Sequence, residues 1–175
     1  MRALAWPGGV RKRRAHTSAK ILIVDDHEVV RHGVRAMILR SRPEWEISGE
    51  AATGSEALQA IQSLRPDVVV LDITMPDMSG IEVALQVARL HLPAALLMFT
   101  MHESSRLLGE IRNVGAQGFV NKSCAGRDLI AAIDALLAGG TFFREGVADV
   151  APEPGDKPNP GLSFRQQLSL RLRRA

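Results

Sequence analysis

The chain has 175 residues, of which 46% are hydrophobic and 23% charged. This length and composition exclude a large multidomain assembly, a disordered polyelectrolyte and an integral membrane protein, and they predict one globular domain with short extra segments and no membrane partner. The single cysteine, Cys124, excludes a disulfide framework or a cysteine-built zinc site and favours a reducing, cytoplasmic location.

The net charge of +3 is unevenly distributed along the chain. Residues 1–20 carry six basic and no acidic side chains, residues 151–175 carry five basic and two acidic ones, and the body between them is acidic. Basic tails can bind nucleic acid, but solvated tails are the simpler interpretation. Residues 1–18 lack the long apolar segment of a signal peptide, so we expect a disordered basic tail there.

Short apolar runs alternate with segments of helical apolar spacing. The predicted strands are residues 20–25, 45–51, 67–72, 95–100 and 115–120. A helical pattern follows each strand, and the fifth pattern stops at Gly139-Gly140, a suitable helix end. The (βα)5 order predicts an α/β fold, a doubly wound five-stranded parallel sheet, because parallel neighbours need right-handed crossovers. Ligands bind beyond the carboxyl ends of the strands in such sheets.

The globular domain is predicted over residues 19–145. Residues 146–161 contain four of the nine prolines and are predicted to be a linker. Residues 162–175 are predicted to form one short basic helix, because Ser163 and Gln166 have the spacing of a capping box and apolar residues then recur every four positions.

Polar side chains follow the ends of four predicted strands. They are Asp25 and Asp26 after the first strand, Asp72 after the third, Thr100 at the end of the fourth and Lys122 after the fifth. Clustered carboxylates repel one another and need a counter-charge, and an all-oxygen ligand set suits Mg²⁺. The Lys122 ammonium and the Thr100 hydroxyl can then contact an anionic group on one carboxylate. The arrangement predicts a phosphoryl-aspartate site.

Taken singly, each of these residues has a simpler interpretation. Asp26 can cap the first helix, Lys122 can be a solvated loop charge, and Thr100 can be an ordinary strand-end hydroxyl. Phe119 can be a core aromatic residue. His27 suggests a metal ligand, but Mg²⁺ disfavours imidazole, so a helix-start or surface histidine is favoured. Only the joint placement at successive strand ends favours the functional interpretation.

Three segments and Thr100 make the sequence resemble the receiver domains of two-component response regulators, in particular the NarL/FixJ (LuxR-type) subfamily. The segments are ILIVDDH at 21–27, PDVVVLDITMPDMSG at 66–80 and GAQGFVNK at 115–122. The resemblance covers about residues 19–145. It implies a flavodoxin-like (βα)5 switch, not an enzyme, that accepts a phosphoryl group from a sensor histidine kinase and changes a protein-interaction surface.

The resemblance also assigns roles to individual positions. Asp72 is the implied phosphoacceptor, Asp25, Asp26, Asp72 and the Thr74 backbone carbonyl are the implied Mg²⁺ ligands, Lys122 is the phosphate-pairing lysine, and Thr100 and Phe119 are the switch residues. Phosphorylation is then expected to draw Thr100 toward the phosphoryl group and let Phe119 turn into the space behind it. The face of the fourth helix, fifth strand and fifth helix would repack.

Two features depart from the family pattern. Ser123 follows Lys122 where many receivers have proline, which leaves the loop geometry open. Residues 162–166, LSFRQ, resemble the start of a helix-turn-helix output domain, yet the chain ends nine residues later. We therefore expect a truncated remnant of that domain, for which direct specific DNA binding is disfavoured.

Two alternative functions stay open at this point. One is a DNA-binding transcriptional regulator of the NarL/FixJ type with an incomplete output domain. The other is a Mg²⁺-dependent aspartyl-phosphate phosphatase, but those enzymes carry an acid two residues after the nucleophile, where this chain has Thr74. Besides the kinase, the expected partner is a second copy of the chain or a full-length response regulator.

Overall fold

The computed structural model describes residues 18–102 and 104–143. Apart from Ser18, the predicted basic tail lies outside these residues, as do the linker at 146–161 and the short helix at 162–175. Those assignments stay predictions. Within the described ranges, no helix has both the length and the apolar character that crossing a bilayer requires.

Strands and α-helices alternate along the described chain, as the apolar patterns predicted. The elements are β1 (Lys20–Val24), α1 (Glu28–Ser41), β2 (Glu46–Ala51), α2 (Gly54–Leu64), β3 (Val68–Leu71), α3 (Gly80–Arg89), β4 (Ala95–Thr100), α4 (Ser105–Asn113), β5 (Gly118–Asn121), a 3₁₀ turn (Lys122–Cys124) and α5 (Ala125–Leu137).

The five strands form one parallel sheet in the order β2-β1-β3-β4-β5. The chain goes from β1 outward to β2, then returns past β1 to β3 and continues in the other direction. The carboxyl ends of β1 and β3 therefore flank the point where the winding reverses, which is where open α/β sheets form ligand crevices. The predicted doubly wound fold is confirmed.

Alternate strand residues face two separate apolar cores. Leu22 and Val24 of β1 point to the core shared with α2, α3 and α4, whereas Ile21 and Ile23 point to the core shared with α1 and α5. Side chains that alternate in this way bury both faces of a strand, which explains why β1 is an uninterrupted apolar run.

Glycines with positive φ end two of the helices. Gly139 (φ 81°) follows α5, and the N–H of Gly140 donates to the carbonyl of Ala135, which closes the helix where the sequence predicted. Gly115 (φ 84°) follows α4 and ends that helix in the same way. The fifth strand consequently begins at Gly118, three residues later than its apolar pattern indicated.

The segment after α5 covers the free edge of β5. Phe142 accepts a hydrogen bond from the N–H of Phe119 at 2.8 Å and donates one to Gln117 at 2.9 Å. Phe143 packs on the α2–α4 side, where the guanidinium carbon of Arg112 lies 4.7 Å from its ring centre. This short strap ties α4, β5 and the end of α5 together.

Candidate functional site

Asp25 and Asp72 lie side by side at the carboxyl ends of β1 and β3. The N–H of Asp72 donates to the carbonyl of Val24 at 2.8 Å, which continues the strand pairing to the edge of the sheet. Both residues are buried, with 1% and 2% of their surface exposed. Both acids therefore lie at the sheet edge where the sequence analysis expected them.

One ammonium group serves both buried carboxylates. The Nζ atom of Lys122 lies 2.6 Å from Oδ2 of Asp25 and 3.1 Å from Oδ2 of Asp72. The lysine side chain is itself only 11% exposed and passes over the ring of Phe99, with Nζ 5.8 Å from the ring centre. An ammonium held so close to Asp72 can also contact an anionic group carried by that carboxylate.

The environment of Asp72 disfavours its charged form. Burial, together with the neighbouring charge of Asp25, raises the pKa of its carboxyl to about 6 against the opposing effects of Lys122 and the backbone N–H of Ile73. The Ile73 N–H donates to Oδ1 at 2.8 Å. The other carboxylate oxygen, Oδ2, faces the Lys122 ammonium.

The two oxygens of the Asp25 carboxylate have different partners. Its Oδ1 accepts from the backbone N–H of His27 at 2.9 Å, whereas the described contact of its buried Oδ2 is with the Lys122 ammonium at 2.6 Å. A buried carboxylate oxygen that no backbone N–H holds is available as a metal ligand. With Asp26 and Asp72 beside it, the donor set is all oxygen, which suits Mg²⁺.

Asp26 does not cap the first helix, so that alternative interpretation is wrong. His27 occupies the N-cap position, and no side chain caps the helix there. The His27 Nδ1 atom lies 2.7 Å from Oδ1 of Asp26 and 3.3 Å from Oδ1 of Asp25, so the three residues form a group that could hold a metal ion. The histidine side chain is 69% exposed, as expected for a surface residue at a helix start.

Thr100 ends β4 at the same edge and is buried. Its described hydrogen bond stays within its own loop, where Oγ1 accepts from the N–H of His102 at 3.3 Å. Asn121 ties this loop to β5 by donating to the carbonyl of Met101 at 3.4 Å. The hydroxyl therefore lies at the predicted edge, while the direct contacts between charged groups involve Asp25, Asp72 and Lys122.

Phe119 lies on β5 with its side chain turned into the protein. It is 6% exposed and belongs to the apolar core that also contains Leu107 and Ile111 of α4. The same core contains Met98 of β4, two residues before Thr100. An apolar contact path thus joins the loop of Thr100 to α4.

The turn around Ser123 is built without proline and without a cis peptide in the described ranges. The Asn121 side chain accepts from both the N–H and the hydroxyl of Ser123, at 2.9 and 2.7 Å, and Lys122 starts a 3₁₀ turn. The geometry left open by the missing proline is therefore set by the hydrogen bonds that Ser123 donates to the Asn121 side chain.

Two residues after β3 were given no role by the sequence analysis. Gly80 begins α3, and a Cβ atom there would lie 2.1 Å from the backbone carbonyl oxygen of Asp72, so only glycine fits beneath Asp72. Asp77 caps α2 by accepting from the N–H groups of Gly54 and Ser55 at 2.8 and 2.9 Å. Both hold the loop that contains Thr74, which is exposed.

The shifted pKa of Asp77 reflects the same anchoring. Burial raises the pKa of its carboxyl, but hydrogen bonds from the Ser55 hydroxyl and from the backbone N–H groups of Ser55, Gly54 and Met78 outweigh that effect and hold it well below its usual range. Gly54 and Ser55 lie more than 20 residues from Asp77 in sequence, so no local sequence motif predicts this cap.

Residues 21–134 match the family described as the response regulator receiver domain. The chain is similar to the response regulator UvrY of Escherichia coli strain K12, with 30% identity over 87% of this chain and 72% of the relative. Among solved structures, a LuxR-family two-component response regulator from Aurantimonas sp. SI85-9A1 has 38% identity and a TM-score of 0.69, covering 73% of this chain and 90% of that one.

A second solved structure is similar at lower identity. The isolated receiver domain of RcsB from Salmonella enterica serovar Typhimurium, determined with the phosphomimetic BeF₃⁻, has 25% identity and a TM-score of 0.68. The match covers 74% of this chain and 95% of that one. The fold agrees with these comparisons.

Proposed function

The chain belongs to the response regulator receiver domain family, and from that membership we propose that Asp72 accepts a phosphoryl group from the phosphohistidine of a sensor histidine kinase. One observation carries the assignment to Asp72: the Lys122 ammonium joins Asp72 to Asp25 at the point where the sheet reverses its winding. Each of the two acids has one oxygen held by a backbone N–H and the other turned toward the ammonium, and the family membership selects Asp72 between them.

The transfer balances as a displacement at phosphorus. A carboxylate oxygen of Asp72 forms the new P–O bond while the P–N bond of the donor breaks, and the leaving histidine nitrogen keeps the electron pair and takes a proton from solvent. Lys122 neutralises charge on the phosphoryl oxygens in the product. The carboxyl must be ionised to attack, so its proton has to leave before the step.

Asp25, Asp26, Asp72 and the backbone carbonyl of Thr74 would hold Mg²⁺ at this site. When bound, Mg²⁺ neutralises charge on the phosphoryl group and favours the ionised carboxylates. The buried Oδ2 of Asp25, which no backbone N–H holds, supports this assignment. Lys122 alone balances only one of the two buried negative charges that it contacts.

The product is proposed to act as a switch on α4 and β5. An aspartyl phosphate carries more negative charge than the carboxylate, and the Thr100 hydroxyl is the donor at the end of the neighbouring strand. Moving Thr100 would free space next to the core that Phe119 shares with α4. Because a full population shift takes about 5.5 kcal/mol, Lys122, Mg²⁺ and a binding partner must contribute beside one hydrogen bond.

The proposed partners follow from this role. The phosphoryl donor is a sensor histidine kinase in the cytoplasm, and the repacked face would bind a second copy of the chain or a full-length regulator. We favour a switch over a phosphatase, because the residue two positions after Asp72 is Thr74 and not an acid that could activate water.

The test is acetyl phosphate treatment with Mg²⁺ followed by intact mass. The wild type is expected to gain about 80 Da, one phosphoryl group, and Asp72→Asn none. Asp134→Asn is the matched control, since this carboxylate pairs with Arg42 away from the site and should leave the gain intact. Incorporation into Asp72→Asn, or none into the wild type, would refute the proposal.

A further inference from the structure

Arg31, on the second turn of α1, reaches back to the acidic pair. Its side chain is 15% exposed, and its Nη1 atom donates to the backbone carbonyl oxygen of Asp25 at 2.8 Å. Its Nε atom simultaneously donates to Oε2 of Glu50 at 3.2 Å. A planar guanidinium that is fixed at two points in this way has little freedom to move.

The carbonyl that Arg31 holds belongs to the peptide linking Asp25 to Asp26. The N–H of Asp25 is fixed by the carbonyl of Ala51 at 3.1 Å, and Oδ1 of Asp25 by the N–H of His27. The described contact of the Asp26 carboxylate is with the exposed His27 ring alone. The direction in which Asp26 projects therefore depends on how this peptide is oriented.

Glu50 has two arginine partners at the end of β2. Its Oε2 pairs with Arg31 and its Oε1 with Nη1 of Arg35 at 3.0 Å. Glu50 lies opposite Ile23 in the pairing of β2 with β1, close to the edge that carries the acids. Its negative charge offsets that of the Arg31 guanidinium, which would otherwise repel a cation held by the neighbouring carboxylates.

We propose that Arg31 is a positioning residue of the magnesium site. It fixes the Asp25–Asp26 peptide so that both carboxylates face one cation, and Glu50 in turn fixes Arg31 and balances its charge. The inference rests on the proposed function, because it concerns the same metal site, but it assigns a role to a residue on α1 that contacts neither metal nor phosphoryl group. Outer partners of this kind commonly affect metal affinity strongly.

The experiment is a Mg²⁺ titration of the complete chain followed by ¹⁵N NMR of the Asp26 amide, with circular dichroism to verify folding. Arg31→Gln is expected to raise the Mg²⁺ dissociation constant by about tenfold. Arg35→Gln is the matched control. It removes the other guanidinium that pairs with Glu50, but the described hydrogen bond of Arg35 is to Glu50 and not to a carbonyl of the acidic pair, so the Mg²⁺ affinity of this variant should stay near that of the wild type.

Two further variants separate geometry from charge and from misfolding. Arg31→Lys keeps the charge but cannot bridge the carbonyl and Glu50 as a fork, so its affinity is also expected to fall. Glu50→Gln leaves the guanidinium without its counter-charge and should weaken Mg²⁺ binding even if Arg31→Gln does not fold. At saturating Mg²⁺, Arg31→Gln is expected to reach the wild-type extent of phosphorylation, which a damaged Asp72 could not.

The outcomes distinguish this inference from the proposed function. Wild-type affinity in folded Arg31→Gln, in Arg31→Lys or in Glu50→Gln overturns the positioning role and leaves the phosphoacceptor assignment intact. A wild type that neither binds Mg²⁺ nor gains a phosphoryl group overturns the proposed function and the inference with it.

Discussion

Lys122 contacts Asp25 through the buried Oδ2 of that carboxylate, the oxygen that no backbone N–H holds in the described part of the chain. The ammonium lies 2.6 Å from this oxygen, closer than the 3.1 Å that separates it from Asp72. Lys122 is thus shared between two acids. Binding of Mg²⁺ by Asp25 would let the ammonium turn fully toward Asp72.

Replacing Lys122 by methionine should expose the charge imbalance at the site. The variant retains an apolar stem of similar length but leaves two buried carboxylates without their cation, which we expect to cost roughly 3 kcal/mol of stability near neutral pH. Near pH 5 the loss should be smaller, because the Asp72 carboxyl, whose pKa is already about 6, then takes up a proton.

Urea unfolding of the metal-free protein measures this loss. Lys20→Met is the matched control, since Lys20 is exposed at the start of β1 and should change little at either pH. An equal loss at both pH values in Lys122→Met would contradict the ionic explanation and indicate that only packing was removed.

Asp72→Asn should stabilise the metal-free fold at neutral pH. Burial raises the pKa of Asp72 from 3.8 to about 6, so the folded protein binds this proton more tightly than the unfolded chain does. The stability that this group contributes is fully present below about pH 4 and is lost as pH rises through about 6. At pH 7 the amide avoids that loss, which is on the order of 2 to 3 kcal/mol.

The check is a pair of unfolding curves as a function of pH. The advantage of Asp72→Asn over the wild type should shrink between pH 7 and pH 4, and it should also shrink when Mg²⁺ is added to the wild type at pH 7. A constant advantage over this pH range would mean that titration of Asp72 is not its source.

The sequence predicted the strand ends well because each acid directly follows an apolar run. Asp25 and Asp72 come after runs that are buried on both faces, so their position at the sheet edge followed from the order of the elements. The Arg31 bond to the Asp25 carbonyl and the Asp77 cap on α2 could not be predicted in this way. Each joins elements through a backbone group, and backbone groups leave no residue-specific signal.

The strap formed by Phe142 and Phe143 was missed for a related reason. Two aromatic residues that follow a helix-ending glycine pair form too short a run to be predicted as a strand. Their placement depends on the free edge of β5, which is a property of the finished sheet. The late start of β5 has a different origin. The apolar pattern counted Gly115 as a strand residue, but Gly115 ends α4.

Gly80→Ala should damage the site by displacing the backbone of the phosphoacceptor. The added Cβ would lie 2.1 Å from the carbonyl oxygen of Asp72 and 3.0 Å from the Cα of Ile73, and backbone atoms cannot move aside as a side chain can. We expect a loss of at least about 2 kcal/mol in unfolding free energy together with slower phosphorylation.

Gly109→Ala provides the comparison within another helix. A Cβ at Gly109 meets no atom within 4 Å, so alanine should stabilise α4 by about 0.5 to 1 kcal/mol through its helix propensity. Both variants replace glycine by alanine. A similar change in unfolding free energy in both would contradict the explanation that Gly80 is closely packed under Asp72.

Thr100→Val should separate phosphorylation from its structural consequence. Valine has nearly the same shape as threonine and keeps the apolar contacts at the end of β4, but it cannot donate a hydrogen bond to a phosphoryl oxygen. Since Asp72 and Lys122 are untouched, the mass gain with acetyl phosphate should persist. The change at Phe119 should be lost, because one charge-assisted hydrogen bond, worth about 1.5 to 3 kcal/mol, is part of what favours the switched state.

The measurement is ¹⁵N and methyl NMR of the α4–β5 region before and after addition of beryllofluoride with Mg²⁺. Thr100→Ser is the control, since it retains the hydroxyl and should restore the shift at Phe119 and at Leu107. The Thr100 hydroxyl oxygen also accepts a hydrogen bond from the His102 N–H. Thr100→Val loses that bond, which affects the loop even without the phosphomimetic. A full response at Phe119 in Thr100→Val would show that the core between β4 and α4 is moved by another group, and Lys122 would then be the first to examine.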